Sequence, residues 1–139
     1  MPDKKVIKYV LVLTSNPKQV ARVEEFLEKV NKELNFDEVK YNKLLVATTE
    51  AVNNSIIHGN KRNPRKKVVL TCEVNHSCLI VHIHDEGPGV DTTKLPDPLA
   101  NENLLRENGR GVFLMRSLMD SVEFDRTSDG GEVIMTMGL

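Results

Sequence analysis

A chain of 139 residues is the size of one domain and long enough to enclose a proper core. Nineteen Lys and Arg against twenty Asp and Glu leave a formal charge of −1 at pH 7, so no global basic field points to nucleic acid. No long apolar span or signal-type leader occurs, and two cysteines, Cys72 and Cys78, are too few for a disulfide scaffold or a zinc site; a cytoplasmic protein with reduced thiols and no membrane contact is expected.

In chain order, Val6–Leu13 is β-branched and aromatic and reads as a strand. Ser15-Asn16-Pro17 then starts a helix with a capping side chain and a proline at its first position. Val20, Val23, Phe26, Leu27 and Val30 recur on one face of that helix, and Arg22 lies off the stripe, as a solvated arginine would. Asn35-Phe36-Asp37 ends this helix and caps the next, with Asp37 at the N-cap.

The second helix contains Leu44–Gly59 (LLVATTEAVNNSIIHG), the stretch around which the domain is organised. Its apolar residues go round most of the circumference, which predicts a helix packed inside the domain. Yet Glu50, Asn54 and His58 recur every four residues as one polar stripe, with Asn53 at its edge. A carboxylate and an amide on a buried helix need partners. His58 also has a local explanation, because an imidazole near a helix C-terminus is favoured by the dipole. Gly59 ends the helix, and Asn60–Arg65 is a polar loop whose basic residues read as a solvated run.

Val68–Val74 and Ser77–His84 alternate around Asn75-His76 and predict a hairpin. The implied register pairs Cys72 with Leu79, Leu70 with Val81, Val68 with Ile83, and Lys66 with Asp85. One face is then apolar and the other wetter, so helices cover the sheet on one side only, and Asp85 points into the covered layer. Lys66 and nearby turn N–H groups are the candidate partners of that carboxylate. Residues 86–108 lack periodicity and hold Pro88, Pro96 and Pro98, as a functional lid would. Gly109-Arg110-Gly111 opens a helix, Val112–Met119, and Asp120–Asp125 and Gly131–Met137 read as two further strands.

A P-loop is excluded because no G-x-x-x-x-G-K-[ST] occurs, and the glycines around 109–111 do not make a dinucleotide fingerprint. The remaining polar groups still suit a nucleotide. Gly111 before a helix offers free N–H groups to phosphate. Asn54 presents a neutral oxygen suited to Mg2+ beside phosphates, and Glu50 stands one turn away to activate a hydroxyl. Asp85 is able to accept from the exocyclic amine of adenine.

Glu50–Asn54, Asp85–Gly89 (DEGPG) and Gly109–Gly111 (GRG) together resemble the N box and two glycine boxes of the Bergerat-fold, or GHKL, ATPases, the superfamily of gyrase, Hsp90, histidine kinases and MutL. EAVNNSIIHGN (Glu50–Asn60) and GRGVFLMRSLMD (Gly109–Asp120) are similar in wording to the bacterial anti-sigma factor serine kinases. The resemblance implies a single α+β domain over residues 1–139, a two-layer α/β sandwich whose mixed, largely antiparallel sheet is covered by helices on one face, with an ATP lid near 86–108. It implies Glu50 as general base and Asn54 as Mg2+ ligand. Asp85 would read adenine, with Gly87 and Gly89 shaping the pocket. Gly109, Arg110 and Gly111, with the N–H groups of Val112 and Phe113, would hold phosphates. Asn53 and His58 would line the site, and Arg22 would contact protein partners. One departure is clear: where a threonine usually assists adenine binding, Gly131 is followed by Glu132, and Thr136 lies further along.

The function so implied is an anti-sigma regulator that binds Mg-ATP and phosphorylates a serine on an anti-anti-sigma (STAS-type) antagonist, controlling sigma-factor availability by partner switching. A homodimer is expected. The competing expectation is an ATP-dependent sequestering protein without significant kinase activity.

Overall fold

The computed structural model describes residues 6–87 and 107–139. Most of the expected lid, including Gly89, lies outside them. The described elements run β1 (Ile7–Thr14), a 3-10 turn (Pro17–Val20), α1 (Ala21–Leu34), α2 (Glu38–Asn54), a π-helical turn (Ser55–Gly59), β2 (Lys67–Val74), β3 (Cys78–His84), α3 (Glu107–Leu118), β4 (Ser121–Thr127) and β5 (Gly130–Gly138).

Local chemistry sets the caps at Asn16, Asn35 and Asp37 where the sequence places them, although Pro17–Val20 is a 3-10 turn ahead of α1. Asn16 accepts from Lys18 N at 3.0 Å ahead of Pro17. Asn35 closes α1 in the left-handed region, with φ 54°. Asp37 caps α2 by accepting from Lys40 N at 2.8 Å. Three helices on one face of a five-stranded sheet make an α+β two-layer sandwich, as expected. The strand order is β1-β2-β3-β5-β4, and all four pairings are antiparallel, so the described sheet is wholly antiparallel where a mixed one was expected.

The hairpin register differs from the sequence expectation by two residues. Leu70 stands opposite Ile83, Cys72 opposite Val81 and Val74 opposite Leu79. The cause is the Asn75 side chain, whose Oδ1 accepts from the backbone N–H of both Ser77 and Cys78, each at 2.8 Å, and so moves the turn one residue along. A shift of two preserves parity, so every side chain keeps its predicted face. Lys66, however, no longer stands opposite Asp85.

Across the covered face, Leu11, Leu70, Ile83, Val133 and Phe124 form one row through all five strands. Tyr9, Cys72, Val81, Met135 and Val122 form the next. Burying a Leu or Ile side chain is worth about 1.5–3 kcal/mol, whereas an exposed pair such as Lys8–Glu73, at 3.4 Å, sits in a class worth about 0–1 kcal/mol. These rows, and Val23, Leu27 and Val30 of α1 upon them, therefore hold the layers together. Burial pushes the Cys72 thiol up to about 12, so it stays un-ionised and inert in the core. The opposite face is open, with Val10 58 % exposed.

α2 is the middle helix, packed against both α1 and α3. Contrary to expectation it is not enclosed all round: Val46 and Val39 are exposed, while Leu44, Ala47, Ala51 and Val52 are buried. No described helix is long and apolar enough to cross a membrane. Among the described residues, Thr48 on α2 is fully buried and its hydroxyl has no hydrogen-bond partner. Thr48→Val removes that unsatisfied group at nearly constant shape, and urea denaturation should show the variant more stable by about 1 kcal/mol.

Candidate functional site

Glu50 and Asn54 lie one α-turn apart and are both half-buried. They face α3 at Gly111, where an added Cβ would stand 3.1 Å from Glu50 Oε2 and 3.2 Å from Asn54 Nδ2. Neither side chain hydrogen-bonds to another described residue. Directly after Asn54 the helix widens, and Asn60 N donates to Ser55 O at 2.8 Å, five residues back. His58 lies in that π turn and is exposed, while Asn53 is half-buried like Glu50 and Asn54.

Asp85 points into the covered layer, as its parity predicts, and is 6 % exposed. Its partner is the following turn and not Lys66: Gly87 N donates to Asp85 Oδ1 at 2.9 Å. Asp85 N donates to Gly131 O at 2.9 Å, which ties the strand end to the start of β5. Backbone surrounds the carboxylate. A Cβ on Gly59 would lie 2.4 Å from Asp85 Oδ2, one on Gly87 1.9 Å from Gly59 O, and one on Gly130 1.8 Å from Asp85 O. The end of the pocket helix, the end of β3 and the start of β5 thus meet through three glycines.

The second glycine box needs a correction. α3 begins at Glu107, so Gly109, Arg110 and Gly111 lie within its first turns and do not precede it. A helix spends its N–H groups on carbonyls four residues earlier, beyond the first turn. The N–H groups of Val112 and Phe113 therefore lie beyond the first turn, and the donors that a helix does not spend internally are those of its first residues, from Glu107 on. Val112 is buried in the core and Phe113 half-buried, while Arg110 is exposed. Gly111 serves a different need, since it lets α3 approach Glu50 and Asn54 closely.

Two further positions resolve plainly. Thr136 shares the open face of the sheet with Glu132 and Ile134 and stands opposite Ile80, so it does not approach Asp85. Arg22 is exposed at the start of α1 and reaches Val12 O at 3.3 Å and Gln19 Oε1 at 2.9 Å, over the edge of β1. The sequence reading missed Gly59, Asn60 and Gly130 as parts of the site. Gly59 and Gly130 were legible as turn glycines, but Gly59 meets Asp85 only through the packing of the pocket-helix end on β3, and Gly130 only because β5 inserts beside β3.

Residues 13–137 match the family described as the histidine kinase-like ATPase domain. The chain belongs to that family. Among similar proteins, the anti-sigma F factor of Oceanobacillus iheyensis is 36% identical over 94 residues, covering 66% of this chain and 64% of that protein. The anti-sigma F factor of Heyndrickxia coagulans is 30% identical over 116 residues, covering 81% of this chain and 76% of that one. The serine-protein kinase RsbW of Staphylococcus epidermidis is 34% identical over 94 residues, 63% of this chain and 58% of that protein. The matches to the first and third of these span less than two thirds of those relatives' own length. The fold resembles the structure of the RsbU and RsbW domains of a Mycobacterium tuberculosis protein, with a TM-score of 0.66 at 13% identity over 94% of this chain and 32% of that one. It also resembles the mycobacterial sensor histidine kinase MprB, with a TM-score of 0.57 at 12% identity over 98% of this chain and 97% of that one.

The glycine junction makes a stability prediction. Gly130 has φ +152°, and a Cβ there meets the Asp85 carbonyl. Gly130→Ala should destabilise the domain by about 3 kcal/mol or more. Gly138→Ala, whose Cβ would meet Asp120 Oδ2 at 3.3 Å, should unfold much closer to wild type in the same thermal melt.

Proposed function

We propose that the chain is an ATP-dependent protein serine kinase that also acts as an anti-sigma regulator, phosphorylating an anti-anti-sigma protein of the STAS type. The observation that carries this reading is the Glu50–Asn54 pair, half-buried against Gly111 and spent on no other described residue. Half-buried polar side chains that no described residue occupies need give up only water to meet a ligand in the helix–helix cleft.

The described residues fit Mg-ATP. The pocket helix carries Glu50 and Asn54 along one part of its length and meets Asp85 at its end through Gly59. At one end, Asp85 is a buried acceptor suited to the adenine amine. At the other, Asn54 Oδ1 would hold Mg2+, which offsets the triphosphate charge when bound. The free N–H groups of the first turn of α3, with Arg110, would take the phosphates. Glu50 would accept the proton of the substrate serine as it attacks the γ-phosphate, and this step needs a carboxylate where sequestration alone does not. Asn53 would line the wall beside Asn54, and His58, exposed at the helix end, has the least to contribute.

The relatives named anti-sigma F factor and serine-protein kinase RsbW support a sigma factor and its antagonist as the partners. A second copy of the chain is the further partner that the resemblance implies. Arg22, exposed on α1, would contact protein partners.

Two variants test the reading with purified sigma factor, antagonist and Mg-ATP. Glu50→Gln should reduce phosphate transfer to the antagonist serine by about 10²–10⁴-fold, the size of a general-base contribution, with nucleotide affinity nearly unchanged. Transfer at the wild-type rate would remove Glu50 from the chemistry, and intact partner switching without transfer would favour a purely sequestering protein. Arg22→Ala should weaken partner capture on an immobilised column without changing ATP affinity.

A further inference from the structure

Asn60 is 2 % exposed, yet no step above uses it. Its amide is heavily committed. Nδ2 donates to Ser15 Oγ at 2.9 Å and to Lys67 O at 3.0 Å, and Oδ1 accepts from Glu86 N at 2.8 Å. Its own N–H closes the π turn on Ser55 O, and its carbonyl accepts from Asn63 N at 3.0 Å. Ser15 Oγ in turn donates to Lys66 O at 2.6 Å. One side chain therefore joins the exit of β1, the end of the pocket helix, the entry to β2 and the turn that follows β3.

The chain leaves this knot in a costly conformation. Lys61 and Arg62 follow with φ 53° and 58°, two consecutive left-handed residues without glycine. Arg62 N is held by Ile56 O at 2.8 Å, and each such residue costs on the order of 1 kcal/mol unless its surroundings over-determine it. A simpler exit was open to the chain had the junction needed only to end a helix.

The Asn60 bond with most consequence is the one to Glu86. Glu86 stands between Asp85 and Gly87, and Gly87 N supplies the described hydrogen bond that orients the Asp85 carboxylate. Gly59, the neighbour of Asn60, is the wall against Asp85 Oδ2. Fixing Glu86 N on Asn60 Oδ1 therefore sets where the carboxylate points relative to the helix that carries Glu50 and Asn54. We propose that Asn60 is a positioning residue for base selectivity: it aims Asp85 so that the pocket accepts an exocyclic amine, as on adenine, and rejects a carbonyl oxygen, as on guanine. The inference rests on the reading of Asp85 as the group that contacts the base. An ionised carboxylate offers acceptors alone, so its power to discriminate depends on being held in line with the base edge.

The test is the ratio of ADP to GDP affinity, measured by isothermal titration with Mg2+ in wild type, Asp85→Asn, Asn60→Ala, Asn60→Asp and Ser15→Ala, alongside thermal melts. Wild type should prefer ADP, and Asp85→Asn should collapse the preference. Asn60→Ala should narrow the ratio about tenfold or more, as expected when the hydrogen bond that aims a binding group is lost. Ser15→Ala should lower the melting temperature but keep the ratio, because the Glu86 bond survives. Asn60→Asp retains an oxygen for Glu86 N and should keep the ratio nearer to wild type than Asn60→Ala does, although it melts earlier. An unchanged ratio in Asn60→Ala with a collapsed one in Asp85→Asn would overturn the proposal and leave Asn60 a purely structural residue. An unchanged ratio in Asp85→Asn would instead overturn the base-reading role, and this proposal with it. Should Asn60→Ala fail to fold, Asn60→Ser takes its place, since its shorter side chain loses the Glu86 bond but keeps a polar group: a narrowed ratio supports the proposal and an unchanged one overturns it.

Discussion

The Asp85 carboxylate sits at the end of β3 with 6 % of its surface exposed, and the donor that the described residues supply to it is a backbone N–H two residues on. A group of this kind must be surrounded by backbone in place of a counter-ion, and backbone comes close enough only where side chains are missing. Gly59 meets that requirement at Asp85 Oδ2, Gly87 packs in turn on the Gly59 carbonyl, and Gly130, with a φ open to glycine, packs on the Asp85 backbone carbonyl. Asn60 locks the same junction from the outer side, through Glu86 and Lys67.

The same helix serves both ends of the site because its geometry changes along its length. From Glu38 to Asn54 it is α-helical, so Glu50 and Asn54 align towards α3. From Ser55 to Gly59 it is π-helical, with His58 exposed and Gly59 packed against the Asp85 carboxylate. Similar economy governs α3, whose Gly111 allows the two helices to meet where a larger residue would press on Glu50 and Asn54.

Much of the architecture follows from local rules that a sequence states openly. Strand parity, the caps at Asn16 and Asp37, and the left-handed stop at Asn35 each depend on residues within a few positions of one another. The hairpin shows how robust parity is: Asn75 moved the register by two residues, and no side chain changed face. Where the reading went astray, the cause was also local but finer than periodicity resolves. Widening to a π turn leaves the residue pattern of the helix unaltered, and the start of α3 at Glu107 has no capping signature strong enough to set it apart from Gly109–Gly111.

The three ordered motifs carried the resemblance to the family and with it the expected α+β sandwich, while spacing within single elements set Glu50 and Asn54 on one helix face and gave the sheet one apolar side. The inward aim of Asp85 was equally legible, since alternation in β3 demands it. What surrounds Asp85 was decided by the tertiary structure alone. β5 returns between β3 and β4, which sets Gly130 and Gly131 beside a residue some 45 positions earlier in the chain. Asn60 likewise reads as one more polar loop residue until β1, β2 and the turn after β3 converge on its amide. Partners that distant are chosen by the packing of whole layers, and no pattern within a short window encodes them.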